Sequence, residues 1–341
     1  MKRTTYLTGI KPTGDLHLGN YYGTIKPILE ILQKEENVDL YFFIADCHAL
    51  TQYQQPFILQ QNIDKMMIAL MSIFYFDGFD KKNFNESNQI IFYQQSCIAQ
   101  IFELNWILSN YCAKGLLNRN HSYKAMTENN TKCMLDPDKG IFMGLYTYPV
   151  LQAADILIIN PDYVPIGPDQ KQHIEICNEI SRKFNFIHNT DVFTEVKSIV
   201  KNNTSFPGKD GRKMSKSYDN TVPLMYRKNE LKDFIYKIKT NCKIESDPKY
   251  ENESVLFDIH KCISTETDHE YFLFLAEKTN CSWKYLKDLV YRKLEKEIGS
   301  INNELCIGKN VPYHLEFHLG ESIVKRKAEE KLEKIKNIIG L

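Results

Sequence analysis

Apolar positions in the first half of the chain form two kinds of run. Short, nearly continuous runs of strand length cover residues 4–10, 38–45 and 89–93, and such runs are typical of strands buried on both faces of a sheet. Longer runs with helical periodicity cover about 18–34 and 56–76. Strands that alternate with helices predict βαβ units, and therefore an α/β fold with a doubly wound parallel sheet.

The second half has a different pattern. The strand signal fades beyond about Tyr218, and apolar residues then recur at helical spacing, for example in Leu231, Phe234, Ile235 and Ile238. A last helix is predicted from an apolar stripe made of Val324, Ala328, Leu332, Ile335 and Ile339. The lysines and glutamates beside that stripe are interpreted as a solvated face. We therefore expect an all-helical C-terminal domain.

Composition narrows the class of protein. At about 150 residues per domain, 341 residues correspond to about two domains. Lys and Arg together number 43, as do Asp and Glu, so any contact with nucleic acid must come from local basic patches. The nine cysteines include no CxxC pair and predict neither a disulfide framework nor a zinc site. Without an apolar leader or membrane-length run, we expect a cytoplasmic protein with neither membrane nor DNA as partner.

The first candidate for chemistry is the segment Gly9–Asn20, where a strand ends in a glycine-bearing turn and a helix begins. Glycines allow a ligand to approach the backbone closely. His17 and Asn20 lie three residues apart at the start of the helix, where both side chains could donate to a phosphate. The alternative is an ordinary turn with a helix-capping Asn, and the local pattern supports both equally.

The second candidate is Lys213-Met214-Ser215-Lys216-Ser217, within a segment rich in Gly, Pro and Lys. Lysines and hydroxyls on such a loop could close over a triphosphate and stabilise the charge on departing pyrophosphate. Taken by itself, the run is more typical of a solvated basic loop.

The third candidate combines two neighbouring segments, at residues 148–157 and 164–173. Tyr148, Gln152 and Asp155 fall at i, i+4 and i+7, on one face of a helix with otherwise apolar neighbours. A buried carboxylate there requires a donor, either from the protein or from a ligand. Gln170 lies just inside a helix that Asp169 could cap, and its role is ambiguous from the local pattern alone.

Four motifs together resemble those of bacterial-type tryptophanyl-tRNA synthetases. They are HLGN at 17–20, YPVLQAADIL at 148–157, GPDQKQH at 167–173 and KMSKS at 213–217, and their order and spacing fit over nearly the whole chain. The resemblance implies a Rossmann-like catalytic domain at 1–219 and a helical tRNA anticodon-binding domain at 220–341, whose last helix packs back on the catalytic domain. It also implies ATP, Mg²⁺ bound through ATP, L-tryptophan, tRNA(Trp) and a homodimer.

The resemblance also implies roles for individual residues. His17, Asn20 and the loop residues Lys213, Lys216 and Ser217 would act on the phosphates during catalysis. Further ATP contacts would come from Lys11, Thr13, Gly19, Gly167, Asp169 and Met214. Asp155 would accept the indole N–H, while Tyr148 and Gln170 would hold the α-amino group. The rest of the tryptophan pocket would consist of Leu7, Gly9, His48, Gln152, Ile156, Val164 and Ile166.

Two positions depart from the family pattern, and alternatives remain open. Lys11 stands where Gln is frequent, and Gln152 stands where Met is frequent. A Tyr-Gln-Asp trio is also a feature of tyrosyl-tRNA synthetases, which are the main alternative. A nucleotidyltransferase of the same superfold would have no reason to carry Tyr148, Asp155 and Gln170. A catalytically idle, synthetase-like RNA-binding protein is the non-enzyme alternative.

Overall fold

The computed structural model describes residues 3–75, 87–167, 170–200, 206–226, 229–278, 280–307 and 313–341. Within them, five parallel strands form one sheet in the order β3-β2-β1-β4-β5. The strands are β1 Thr4–Ile10, β2 Val38–Ile44, β3 Gln89–Gln94, β4 Tyr163–Ile166 and β5 Lys197–Val200. The strand order reverses between β1 and β4, so the sheet is doubly wound, and the predicted α/β fold is confirmed.

The first three strands lie where the apolar runs place them. Their helical neighbours follow the predicted periodicity, with one difference: the predicted helix at 18–34 has a five-residue π-helical segment, Tyr21–Ile25, in its middle. The helices of the first half are α1 Leu18–Asn20, α2 Lys26–Lys34, α3 Asp46–Ala49, α4 Pro56–Tyr75, α5 Ala99–Ser109, α6 Lys114–Asn118 and α7 His121–Lys132. Two longer helices, α8 Met143–Ile159 and α9 Lys171–His188, flank β4 in the chain.

The sheet separates two apolar cores. Side chains alternate between its faces, so Phe42 and Phe92 belong to one core and Tyr41, Phe43 and Tyr93 to the other. The first core continues into the C-terminal helices α10 Glu230–Tyr236, α11 Val255–Ile263, α12 Glu266–Lys278 and α13 Trp283–Ile307. No strand lies in the described residues beyond Val200. One apolar core contains residues from both sides of position 219, so it does not mark a boundary between two domains at that position. The domain boundary at residue 219 stays a prediction.

The last helix, α14 Tyr313–Ile339, packs against β3. Its approach is close, because a Cβ on Gly320 would lie 1.9 Å from the backbone oxygen of Phe92. The predicted apolar stripe is buried at Val324, Ala328, Leu332 and Ile335. The solvated-face interpretation is wrong for part of this helix, since the Lys327 ammonium lies 4.7 Å from the centre of the Tyr41 ring.

No helix among the described residues is long and apolar enough to cross a membrane.

Candidate active site

A cleft of about 610 Å³ opens beside the carboxyl ends of β1 and β4, where the strand order reverses. Ligands of open α/β sheets bind at such a point, and the volume suits a small molecule. The predicted site residues other than Asp169 and Ser217, whose side chains are not described, line this cleft. Asp169 lies outside the described residues, and Ser217 lies in the 3₁₀ turn Lys216–Tyr218. The roles assigned to these residues stay predictions.

Asp155 lies on α8 at the wall of the cleft and has no solvent-exposed surface. Burial raises the pKa of its carboxyl, and donors from His48 and Gln95 act in the opposite direction. His48 Nε2 lies 2.8 Å from Asp155 Oδ2, and Gln95 Nε2 donates to Oδ1 at 2.8 Å. The carboxylate is therefore paired inside the protein and also faces the cavity. The two alternatives weighed from the sequence, a structural Asp and a ligand-binding Asp, are compatible.

Tyr148 is half-buried and lines the cleft from the same helix, α8, as Asp155. Its hydroxyl oxygen lies 2.7 Å from His173 Nε2 and 3.1 Å from Ser122 Oγ. Gln152 and Gln170 line the same cleft. The structure corrects one detail: α9 begins at Lys171, so Gln170 is its N-cap residue and does not lie inside the helix.

The HLGN motif forms the start of α1. His17 is the N-cap residue, and its backbone N–H donates to Asn20 Oδ1 at 3.2 Å. The Asn20 side-chain oxygen is thus used in capping, while its NH₂ group remains able to donate into the cleft. Burial, with a smaller effect of the Lys216 charge, lowers the pKa of His17 to about 4. His17 is therefore neutral at pH 7 and has one ring N–H to donate.

Lys216 reaches across the Pro-Thr-Gly turn that follows β1. Its ammonium donates to the Thr13 backbone oxygen at 3.0 Å, and burial lowers its pKa to about 8. Gly14 allows this contact, because its φ is +106° and a Cβ there would lie 3.2 Å from Lys216 Nζ. The solvated-loop alternative is therefore wrong for Lys216. Lys11 also lines the cleft, and desolvation lowers the pKa of its ammonium.

The KMSKS segment is held in place by a residue that the sequence analysis did not identify. Asn220 is 1% exposed, accepts the Ser215 backbone N–H at 2.8 Å and donates to Asp210 Oδ1 at 2.8 Å. The backbone N–H of Leu18 also donates to the Val222 oxygen at 3.0 Å, which ties the end of this segment to α1. The segment that carries KMSKS is therefore hydrogen-bonded to the helix that begins with the HLGN motif.

Two further polar residues behind the cleft were missed, Gln95 and Asn120. Gln95 follows β3 at the carboxyl edge of the sheet, and that position was the only signal for it. Asn120 is the N-cap of α7 and had no signal beyond its residue type. No cluster of three or more His, Cys, Asp or Glu side chains suited to a metal ion occurs in the described part of the chain.

Comparison with known proteins gives a consistent result. A family model described as tRNA synthetases class I (W and Y) matches residues 1–298. A tryptophan–tRNA ligase of Neisseria meningitidis is 37% identical over 350 residues, which cover 100% of this chain and 99% of the relative. One from Pseudomonas aeruginosa is 39% identical over 300 residues, 87% of this chain, although the matched part spans only 64% of that relative.

A solved structure is similar along its whole length. The crystal structure of a tryptophanyl-tRNA synthetase from Campylobacter jejuni, complexed with ADP and tryptophan, is 32% identical with a TM-score of 0.78. The match covers 99% of this chain and 100% of that one. The predicted resemblance is confirmed, and the chain belongs to the class I tRNA synthetase family of tryptophan and tyrosine enzymes.

Proposed function

We propose that this chain is a tryptophan–tRNA ligase, which activates L-tryptophan with ATP and transfers the tryptophanyl group to tRNA(Trp). One observation carries the proposal: a single cleft joins a buried carboxylate, Asp155, to a set of cationic and neutral donors at Lys11, His17 and Lys216. We call the side around Asp155 and Tyr148 the amino-acid end, and the side around Lys11, His17 and Lys216 the nucleotide end. Such an arrangement suits a reaction between an aromatic amino acid and a triphosphate.

The chemistry requires no side-chain nucleophile. A carboxylate oxygen of tryptophan attacks the α-phosphorus of ATP, the bond to the bridging oxygen breaks, and pyrophosphate leaves with the electron pair. Holding both reactants in one cleft can lower the barrier by about 7–11 kcal/mol. Lys216 and Lys213 stabilise the charge that develops on pyrophosphate, and one well-aimed donor is worth about 3 kcal/mol. Mg²⁺, if it enters with ATP, would neutralise part of the same charge.

Selection of the amino acid rests on Asp155. Its carboxylate accepts the indole N–H, and phenylalanine would leave that buried acceptor without the ligand's donor. Tyr148 and Gln170 hold the α-amino group. Tyrosine also carries a donor at its ring end, so Asp155 alone does not distinguish tyrosine from tryptophan. The feature that favours the tyrosine alternative is Gln152, which completes a Tyr-Gln-Asp trio with Tyr148 and Asp155. The names of the similar proteins from Neisseria meningitidis and Campylobacter jejuni support tryptophan.

The remaining parts of the proposal concern partners and location. The helical region from residue 220 onward would read the anticodon, since proteins recognise RNA loops by stacking and by basic side chains. A homodimer is proposed from the family resemblance, and an interface of this kind could cover exposed apolar side chains such as Trp106 and Phe142, each 73% exposed. We propose a cytoplasmic location, as for other parts of the translation machinery.

The direct test is ATP–pyrophosphate exchange by purified protein with Mg²⁺, measured with tryptophan, with tyrosine and without amino acid. Exchange that requires tryptophan is the expected result, followed by charging of tRNA(Trp) transcript. Exchange that requires tyrosine would replace the proposal by the tyrosyl alternative. Exchange with neither amino acid, by folded protein, would contradict both and favour the idle RNA-binding alternative.

A further inference from the structure

Tyr148 has to act as a hydrogen-bond acceptor if it holds an α-ammonium group, because an ammonium can only donate. A phenol oxygen also carries a proton of its own, and that proton must then point away from the ligand. The geometry around Tyr148 provides a receiver for it. His173 Nε2 lies 2.7 Å from the Tyr148 oxygen, the shortest of the polar contacts that Tyr148 makes within the described residues.

The direction of this hydrogen bond follows from Asn120. Asn120 has no exposed surface, and its Oδ1 accepts the backbone N–H groups of Ser122 and Tyr123 at 3.0 and 3.3 Å. The orientation of the amide is therefore fixed, and its NH₂ group points the other way. That NH₂ group lies 3.1 Å from His173 Nε2.

An amide NH₂ can only donate, so we infer that Nε2 of His173 presents its single lone pair, which the Asn120 N–H at 3.1 Å and the Tyr148 O–H at 2.7 Å then share. In that tautomer the ring proton resides on Nδ1. An unprotonated Nε2 at 2.7 Å from a phenol can only accept, so the Tyr148 hydroxyl is the donor in that pair. The same Asn120 NH₂ group donates to the Tyr148 oxygen at 3.4 Å, so that oxygen also acts as an acceptor.

We propose that His173 is a positioning residue that fixes Tyr148 as a hydrogen-bond acceptor for the α-ammonium group of the amino acid. The inference rests on the proposed function and deepens it. His173 belongs to the DQKQH segment, yet it acts through Tyr148 and need not touch the substrate. Ser122 Oγ, at 3.1 Å and on the exposed side of Tyr148, occupies an acceptor position that the ammonium can take over.

The test uses two tryptophan analogues that each keep one half of the amino-acid backbone. Tryptamine keeps the ammonium and lacks the carboxylate, whereas indole-3-propionate keeps the carboxylate and lacks the ammonium. Their inhibition constants are measured against tryptophan-dependent pyrophosphate exchange. With His173→Leu, we expect the KM for tryptophan and the inhibition constant of tryptamine to rise about tenfold, the cost of a weakened hydrogen bond to a charged group. The constant for indole-3-propionate should stay unchanged.

Two further variants separate positioning from general structural damage. His173→Gln keeps an acceptor oxygen within reach of Tyr148 and should recover most of the tryptamine affinity. In a Tyr148→Phe background, His173→Leu should have no additional effect on tryptamine, because there is no hydroxyl left to orient. If His173 has only a structural role, His173→Leu should still raise the inhibition constants in the Tyr148→Phe background, and by the same factor for tryptamine and for indole-3-propionate.

The chain offers a matched control on the same helix. Tyr111 and His188 form a second Tyr–His pair, with 2.7 Å between the Tyr111 oxygen and His188 Nε2, outside the cleft. His188→Leu removes an equivalent hydrogen bond and should change none of the three constants. If the wild type shows tryptophan-dependent exchange and His173→Leu changes neither the KM for tryptophan nor the inhibition constant of tryptamine, this inference alone is overturned. Absence of tryptophan-dependent exchange in the wild type would overturn the proposed function as well.

Discussion

At the amino-acid end of the cleft, the groups that face the cavity are held by hydrogen bonds from protein side chains. Asp155 is bound by His48 and Gln95, and Tyr148 by His173. At the nucleotide end, Lys216 donates to one backbone oxygen, that of Thr13, and in the part of the chain that the structure describes Lys11 and Lys216 have no side-chain partners of the kind that Asp155 and Tyr148 have at the other end. No carboxylate forms an ion pair with Lys11 or Lys216 within the described residues. Burial lowers the pKa of Lys216 to about 8, and desolvation lowers the pKa of Lys11, whose side chain is nonetheless open to solvent in the cleft.

The difference teaches what each end requires from its ligand. A carboxylate with two protein donors can remain ionised in a buried position and still accept one more hydrogen bond. Such a group selects a ligand by the position of its donor. A cation that is desolvated without a counter-ion gains most when an anion arrives. The nucleotide end therefore gains its main electrostatic partners only when phosphates bind.

The largest effect is expected from removing a cation at the nucleotide end. Lys216→Ala should slow adenylate formation by about 10²–10³, the typical cost of one donor aimed at developing charge. The Kd for tryptophan should remain unchanged, because Lys216 contacts the turn at Thr13 and not the amino-acid end. Single-turnover kinetics and equilibrium binding measure the two quantities. As a control, Lys237→Ala removes an exposed lysine beside Asp233 and should change neither. Equal losses in rate and tryptophan affinity would contradict the division of the cleft.

The next effect concerns selectivity at the amino-acid end. A buried hydrogen-bonding site can reject a ligand that lacks the partner by about 10⁴–10⁵. Asp155→Ala should remove about 10² or more of the preference for tryptophan over phenylalanine, measured as the ratio of kcat/KM in pyrophosphate exchange. The KM for ATP should not change, which also reports that the variant is folded. A variant that retains the full preference would exclude Asp155 as the indole acceptor.

The sequence predicted the strands and most of the cleft because both depend on local signals. Buried parallel strands are short apolar runs, and glycines and polar residues directly after them fall at the carboxyl edge of the sheet. Gln95, Asn120 and Asn220 were not predicted. Their importance comes from hydrogen bonds to side chains or backbone brought close by folding, and an isolated Asn or Gln has no pattern that reports such partners.

The misjudged lysines have a related cause. Charge runs are usually solvated, and that rule holds for the exposed Lys325 and Lys334. It fails for Lys216 and Lys327, because a long side chain can place its ammonium over a turn or an aromatic ring that only the tertiary structure provides. The sequence therefore predicts where the chemistry lies better than it predicts how each charge is surrounded.

The pH dependence of the free enzyme gives a third test, of smaller size. Burial lowers the pKa of Lys216 to about 8, while nearby Asp15 acts to raise it and Lys65 to lower it. The protonated form stabilises phosphates, so kcat/KM for ATP should fall about tenfold between pH 7 and pH 9 as the ammonium loses its proton. Lys216→Arg keeps its charge over this range and should flatten the profile. An unchanged fall in that variant would assign the titration to another group.

The smallest effect is expected at Lys11, which stands where Gln is frequent in the family. Its ammonium lies 5.6 Å from the centre of the Tyr148 ring, so Lys11 is the part of the nucleotide end that borders the amino-acid end. If it acts on ATP phosphates, Lys11→Gln should raise the KM for ATP about fivefold, which corresponds to about 1 kcal/mol. The effect should diminish at high salt, because a group open to the cleft is screened. The affinity for tryptamine tests whether Lys11 also repels the α-ammonium group. A higher affinity in the Lys11→Gln variant would show repulsion across the Tyr148 ring. An unchanged affinity would show that Lys11 acts only at the nucleotide end.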